Sequence, residues 1–220
     1  MDIVFEDNSI IVINKPAGVA TQSANISQKD CVSLIKEHLR KANPDKKGDP
    51  YVGIVHRLDQ PVRGILVFAK NQKAAAVLSK QVQTDIMNKR YIARVEGVLE
   101  AVENKMLINR IYKDSKQNKA VIAGDKISDK SIKIQEAVLE YTTDGISVDG
   151  NCDVRITLKT GRFHQIRAQL SAMGHPILGD YKYGATKPYK KGEIALCAQE
   201  LSFVHPVTGE NMHFECEPLA

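Results

Sequence analysis

Two short segments concentrate the side chains that could do chemistry. In Tyr51-Val52-Gly53-Ile54-Val55-His56-Arg57-Leu58-Asp59, three ionisable groups follow an apolar strand and precede a second apolar run that opens at Gly64. Charged groups between core strands need partners or a purpose. Either an ion-pair network fixes the loop, or the charged set serves a purpose beyond holding it. Arg63 adds positive charge four residues beyond Asp59, where it could hold a phosphate. The second segment, Thr160-Gly161-Arg162-Phe163-His164-Gln165-Ile166-Arg167, opens a helical period. Phe163, Ile166, Leu170 and Met173 make one apolar stripe, and Arg167 falls on its shoulder. An arginine there can reach from the core edge into a cleft and pair with a carboxylate, for which Asp59 is the obvious candidate.

These residues need a scaffold, and the pattern predicts one with many strands and three clear helices. Ile3-Val4-Phe5 and Ile10 to Ile13 read as strands around an Asp7-Asn8-Ser9 turn, and Lys15-Pro16-Ala17-Gly18 stops the second. Asp30 is placed to cap a helix carrying Val32, Ile35 and Leu39, which Asn43-Pro44 ends. Further strands are expected over 51 to 55, 64 to 69, 90 to 96, 106 to 112, 119 to 123, 134 to 142, 152 to 158, 194 to 203 and 212 to 216, with a helix over 72 to 82. The helix that begins near Phe163 stops at Gly174 and Pro176. This order is not a strand-helix alternation; it predicts an α+β fold with a mixed, mostly antiparallel sheet. At 220 residues, one domain spanning 1 to 220 is expected.

Charge narrows the partner. The chain carries a formal +5, and the stretch from Lys105 to Lys133 alone holds eight basic residues against three acids. A second cluster, Lys182, Lys187, Lys190 and Lys191, is interleaved with Tyr181, Tyr183 and Tyr189. Basic residues among aromatics suit a polyanion with stacking bases, and the bland alternative is a solvated lysine-rich surface. No apolar run approaches the roughly 20 residues of a membrane helix, and the acidic N-terminal Met1 to Asp7 is unlike a signal peptide. A cytoplasmic protein with no membrane partner is expected. Cys31, Cys152, Cys197 and Cys216 form no C-x-x-C pair, so buried reduced thiols are expected. His205, His213 and Cys216 lack a fourth metal ligand at sensible spacing, so no metal is expected.

Six motifs, in order, resemble the RluA-like family of pseudouridine synthases. They are Lys15-Pro16-Ala17-Gly18, His56-Arg57-Leu58-Asp59 with Gly64, Lys89-Arg90-Tyr91-Ile92-Ala93, Gly161-Arg162 with His164-Gln165-Ile166-Arg167, Gly174-His175-Pro176-Ile177 with Gly179-Asp180, and His205-Pro206 with Thr208-Gly209-Glu210. The resemblance implies the pseudouridine synthase fold with a central catalytic cleft, and isomerisation of uridines in ribosomal RNA, transfer RNA or both. It also implies that Asp59 is the nucleophile, that Tyr91 packs on the target base, and that Arg167 pairs with Asp59. Arg57 would fill the space left by a flipped nucleotide, with His56, Arg63, Lys15 and Arg162 as further RNA contacts. Neither cofactor nor metal is implied, and a monomer is expected. Only about a dozen residues precede the first motif, so selection of RNA is expected to fall to the catalytic domain itself. Gln60-Pro61-Val62-Arg63, Phe163, Gln169 and Cys197 depart from the family's usual residues.

Three rival readings remain open to the sequence. A non-catalytic RNA-binding or ribosome-assembly protein would keep the scaffold but has no need of Asp59, Tyr91 and Arg167 together. A metal-dependent nuclease needs a carboxylate or histidine cluster, and a glycoside hydrolase needs paired carboxylates. The nearest second acid, Asp180, reads more simply as a turn or structural hydrogen bond.

Overall fold

The structure is a computed structural model that describes residues 1–24, 28–45, 47–124, 132–146 and 150–219. The chain divides into two compact units, the first formed by Met1–Lys89 and Ala198–Pro218 and the second by Arg90–Cys197 with Leu219.

In the first unit β1 (Asp2–Glu6) pairs with β2 (Ile10–Lys15), which pairs with β4 (Arg63–Ala69), both antiparallel. β10 (Leu196–Val204) lies on the far side of β4 and carries β11 (Asn211–Glu215) antiparallel. A two-residue β3 (Gly53–Ile54) adds to the end of β4. The alternation of side chains across a sheet puts Ile10, Val12, Ile65, Val67, Leu201 and Phe203 on one face, and Ala74 and Leu78 of α2 (Gln72–Gln83) close over it. α1 (Cys31–Ala42) starts where the sequence placed it: Asp30 accepts from the Ser33 N–H while the Ser33 hydroxyl reciprocates at the Asp30 backbone N–H.

The second unit is an antiparallel run in the order β5 (Asn88–Val95), β9 (Cys152–Leu158), β8 (Gln135–Ile146), β6 (Val102–Asp114) and β7 (Lys119–Ile122). α3 (Gln165–Ala172) packs on β6 and β7, and a 3-10 turn spans Tyr181–Tyr183. The strands and three helices are those of an α+β protein. β6 runs well past the expected 106 to 112, because its charged ends are held by ladder pairing with β8 and β7, an effect that local propensity does not carry. α3 begins later than the apolar period and is buried from Gln165 to Leu170 without a break, so it is not a simple amphipathic helix. Among the described residues no helix is long and apolar enough to cross a membrane.

Candidate active site

Asp59 sits in the first unit, at the end of a loop that is clamped from several directions. β3 leaves the ladder after pairing Ile54 with Phe68, and the next N–H of β4, that of Val67, donates to Nε2 of His56 at 3.3 Å. The imidazole therefore stands where a backbone carbonyl would otherwise continue the sheet. As the acceptor, Nε2 leaves the proton on Nδ1, which is buried with no hydrogen-bond partner among the described residues. Burial, reinforced by the positive charge of Lys89, pushes the His56 pKa down to about 3, so the ring is neutral.

The residues after His56 alternate. Arg57 is exposed, Leu58 is buried and Asp59 is half-buried. Leu58 is locked by Thr21, whose hydroxyl accepts the Leu58 N–H at 3.1 Å and donates to the Leu58 carbonyl at 2.9 Å. Asp59 closes a tight turn through its carbonyl, which accepts from the Val62 N–H. The Gln60 carbonyl accepts from the Gly18 N–H at 2.8 Å, and the Gln60 amide returns a bond to the Gly18 carbonyl. Gln60 thus cross-links the loop to the Lys15-Pro16-Ala17-Gly18 segment. Gly64 is required where the loop re-enters the sheet: its φ is 128°, and a Cβ there would lie 2.2 Å from the Ala198 carbonyl oxygen.

Two residues expected to touch RNA are turned inward instead. Lys15 is 0% exposed, and its ammonium donates to the carbonyls of Pro16, Val19 and Gln60. A buried lysine must satisfy its donors inside the protein, and here the ammonium ties the turns next to Asp59 together from within. His56 is tied to Val67 in the same way. Arg63 remains half-buried and donates to the Pro218 carbonyl.

Tyr91 and Arg167 belong to the second unit. Tyr91 sits on β5 opposite Ile156 of β9 and is 7% exposed. Arg167, 5% exposed, makes a bidentate pair with Asp180: Nε and Nη2 donate to Oδ2 and Oδ1 at 2.7 Å each. Within this unit the guanidinium is fixed by Asp180, 1% exposed. The Tyr183 ring lies 4.9 Å from the guanidinium carbon, and its hydroxyl is held by the Ala120 N–H and by His164 Nδ1. Asp180 and Tyr183 went unrecognised as supports of Arg167. Gly179-Asp180-Tyr181 has no periodicity to reveal them, although a buried arginine on a helix already demands an acid.

The dense polar run before α3 is mostly scaffolding. The Gln165 side chain accepts from the Arg162 N–H and the Thr160 hydroxyl and donates to the Val138 carbonyl, pinning the helix start to β8. Arg162 donates from Nε to the Glu136 carbonyl. His164 adopts a left-handed φ of 49°, a conformation of a kind found where surroundings over-determine the backbone. Here its ring stacks 3.8 Å from Phe163 and bonds Tyr183. Gln169, fully buried, donates toward Leu107, Asn109 and Ala137.

These arrangements belong to a known sequence pattern: the family described as RNA pseudouridylate synthase matches residues 9–172. The chain belongs to the RNA pseudouridine synthase family. The ribosomal large subunit pseudouridine synthase C of Buchnera aphidicola subsp. Schizaphis graminum is 33% identical over 224 residues, covering 96% of this chain and 65% of that protein. The dual-specificity RNA pseudouridine synthase RluA of Vibrio parahaemolyticus is also 33% identical, over 93% of this chain and 78% of its own length. The fold agrees with the solved human RNA pseudouridylate synthase domain containing 4, at a TM-score of 0.76 and 23% identity over 99% of this chain and 88% of that one. The chain spans about two thirds of the length of the curated relatives it matches, and its membership of the family does not favour the non-catalytic reading.

Proposed function

We propose that this chain isomerises specific uridines of ribosomal RNA, transfer RNA or both, with Asp59 as the nucleophile or base. The observation that carries the reading is the Asp59 loop itself, clamped at His56, Leu58 and Gln60 while the carboxylate residue stays half-buried. Fixing a reacting group in place is what lowers the entropic part of a barrier. In the reaction the bond from ribose C1′ to N1 breaks, a bond from C1′ to C5 forms, C5 gives up its proton and N1 gains one. Nothing is oxidised or reduced, so the chemistry calls for a carboxylate and for no cofactor or metal.

Tyr91 packs on the extruded uracil, and Arg167 faces the reacting carboxylate, its orientation set by Asp180 and Tyr183. Arg57, exposed and in no ion pair with a described acid, stacks into the space the base leaves. Arg63 and Arg162 lie in reach of the strand, while Lys15 and His56 act through the loop. The chain works as one catalytic domain, as a monomer in the cytoplasm.

Mapping pseudouridine in total RNA from cells with the gene, without it, and complemented with Asp59→Asn tests the reading. Sites that vanish with the gene, return with wild type and stay absent with Asp59→Asn are expected. Activity of the Asn variant within tenfold of wild type would remove Asp59 from the mechanism.

A further inference from the structure

The basic stretch that composition singled out is resolved by the fold into a specific object, the hairpin of β6 and β7. Its strands pair Lys113 with Ala120 and Asp114 with Lys119. The turn between them is closed by Asp114, whose Oδ1 accepts from the N–H groups of Lys116 and Gln117, and by Asn118 at a left-handed φ of 47°. The hairpin's own acid is therefore occupied by amides. Lys126 and Lys130 lie outside the described residues.

Lys105 and Arg110 lie further along β6, and three cations gather at the closed end of the hairpin. The Lys113 ammonium sits 4.6 Å from the centroid of Phe163, the Lys119 ammonium sits 4.8 Å from that of Tyr183, and Lys116 is exposed at the tip. None of the three forms an ion pair with a described acid. The rings are not platforms for bases. Phe163 already stacks on His164, and Tyr183 is buried with its hydroxyl bonded. They serve as seats: an ammonium over a ring face is held in place electrostatically while its outward N–H groups remain available. A solvated lysine face has no such seating.

We propose that the β6–β7 hairpin is a docking site for the phosphate backbone of the RNA, with Lys113, Lys116 and Lys119 each neutralising one phosphate. The proposal rests on RNA as the substrate, and it assigns to this hairpin a share of affinity that is independent of the reacting uridine. Each phosphate contact on a single strand releases counterions and contributes about 0.7 to the slope of log affinity against log salt. Three contacts contribute about 2, or roughly 50-fold in affinity at 0.15 M salt.

The test measures binding of the whole chain to a 20-nucleotide polyuridine strand across a salt series. Lys113→Gln/Lys116→Gln/Lys119→Gln should lower the slope by about 2 and the affinity at 0.15 M salt roughly 50-fold. The Lys→Arg triple variant should keep both. An unchanged slope in the Gln variant overturns the proposal, as does an Arg variant that loses as much as the Gln one. Should the triple Gln variant melt early, Lys116→Gln alone, at the exposed tip, must still lower the slope by about 0.7. A wild-type chain that binds with the expected slope yet makes no pseudouridine would refute the proposed reaction and leave the hairpin site standing.

Discussion

Lowering the pH from 7.5 to 5.0 should weaken the fold through one ring, that of His56. Its Nε2 is occupied by the Val67 N–H, its Nδ1 is sealed from water, and a second proton would add charge beside Lys89. The folded ring therefore takes up a proton only near pH 3, whereas an unfolded histidine does so near its ordinary 6.5. Below 6.5 the unfolded state binds a proton that the native state refuses, so stability is complete above that pH and falls steadily toward 3. Linkage over this window gives a loss of about 2 kcal/mol between pH 7.5 and 5.0, and about 1 more by pH 4. Other groups titrate in acid too. Burial raises Glu6, but hydrogen bonds from Lys70 and His38 more than offset it, and Asp30 is held low by Ser33 against its own burial. Those losses cancel against a variant that keeps them. In His56→Gln the amide oxygen can still accept from Val67 but cannot titrate. Urea unfolding of both proteins at pH 7.5 and 5.0 should show wild type losing about 2 kcal/mol more than the variant. Parallel losses, or an NMR titration of His56 near 6.5, would refute the account of the ring as a neutral sheet cap.

The Arg167–Asp180 pair makes a second prediction, since removing one charge of a buried pair strands the other. Asp180→Asn should cost about 3–5 kcal/mol in denaturant unfolding and slow single-turnover isomerisation even where the protein is still folded; a change under 0.5 kcal/mol would show that the pair is not a buried one in solution. Arg57→Ala should leave the melting temperature unchanged, because the side chain is exposed. It should weaken binding and rate on a structured hairpin RNA more than on a matched linear strand, since extrusion from a stack costs a few kcal/mol, and equal losses on both RNAs would reject the flipping role.

Much of the scaffold was legible because it is local. β2, α1, α2 and the C-terminal hairpin follow from β-branched runs, a capping residue and turn chemistry within a few positions of each other. The supports of the candidate site are not local. Asp180 meets Arg167 because the turn from Ile177 to Ala185 folds back on α3, and that turn depends on Gly179, whose φ is 79° and whose missing Cβ would lie 2.9 Å from the Cβ of Tyr189. Nothing in the spacing of Arg167 and Asp180 encodes that return.

The same limit explains why the cations near Asp59 were sorted by sequence into one class and by the structure into two. His56, Arg57 and Lys15 all read as positive or polarisable groups flanking a carboxylate. In the fold, His56 and Leu58 turn toward the protein while Arg57 turns outward, a period of two that carries the strand's alternation past the end of β3 into the loop. Lys15 is the last residue of β2, paired with Gly64, and follows Ile11 and Ile13 at intervals of two, on a strand whose Ile10 to Ile13 are fully buried on both faces. Three carbonyls from the Pro16, Val19 and Gln60 turns then take the place of solvent. The available signal was the unbroken apolar run from Ile10 to Ile13, fully buried on both faces of β2: a lysine that ends such a strand is enclosed with it, and its ammonium is spent on the carbonyls of the neighbouring turns.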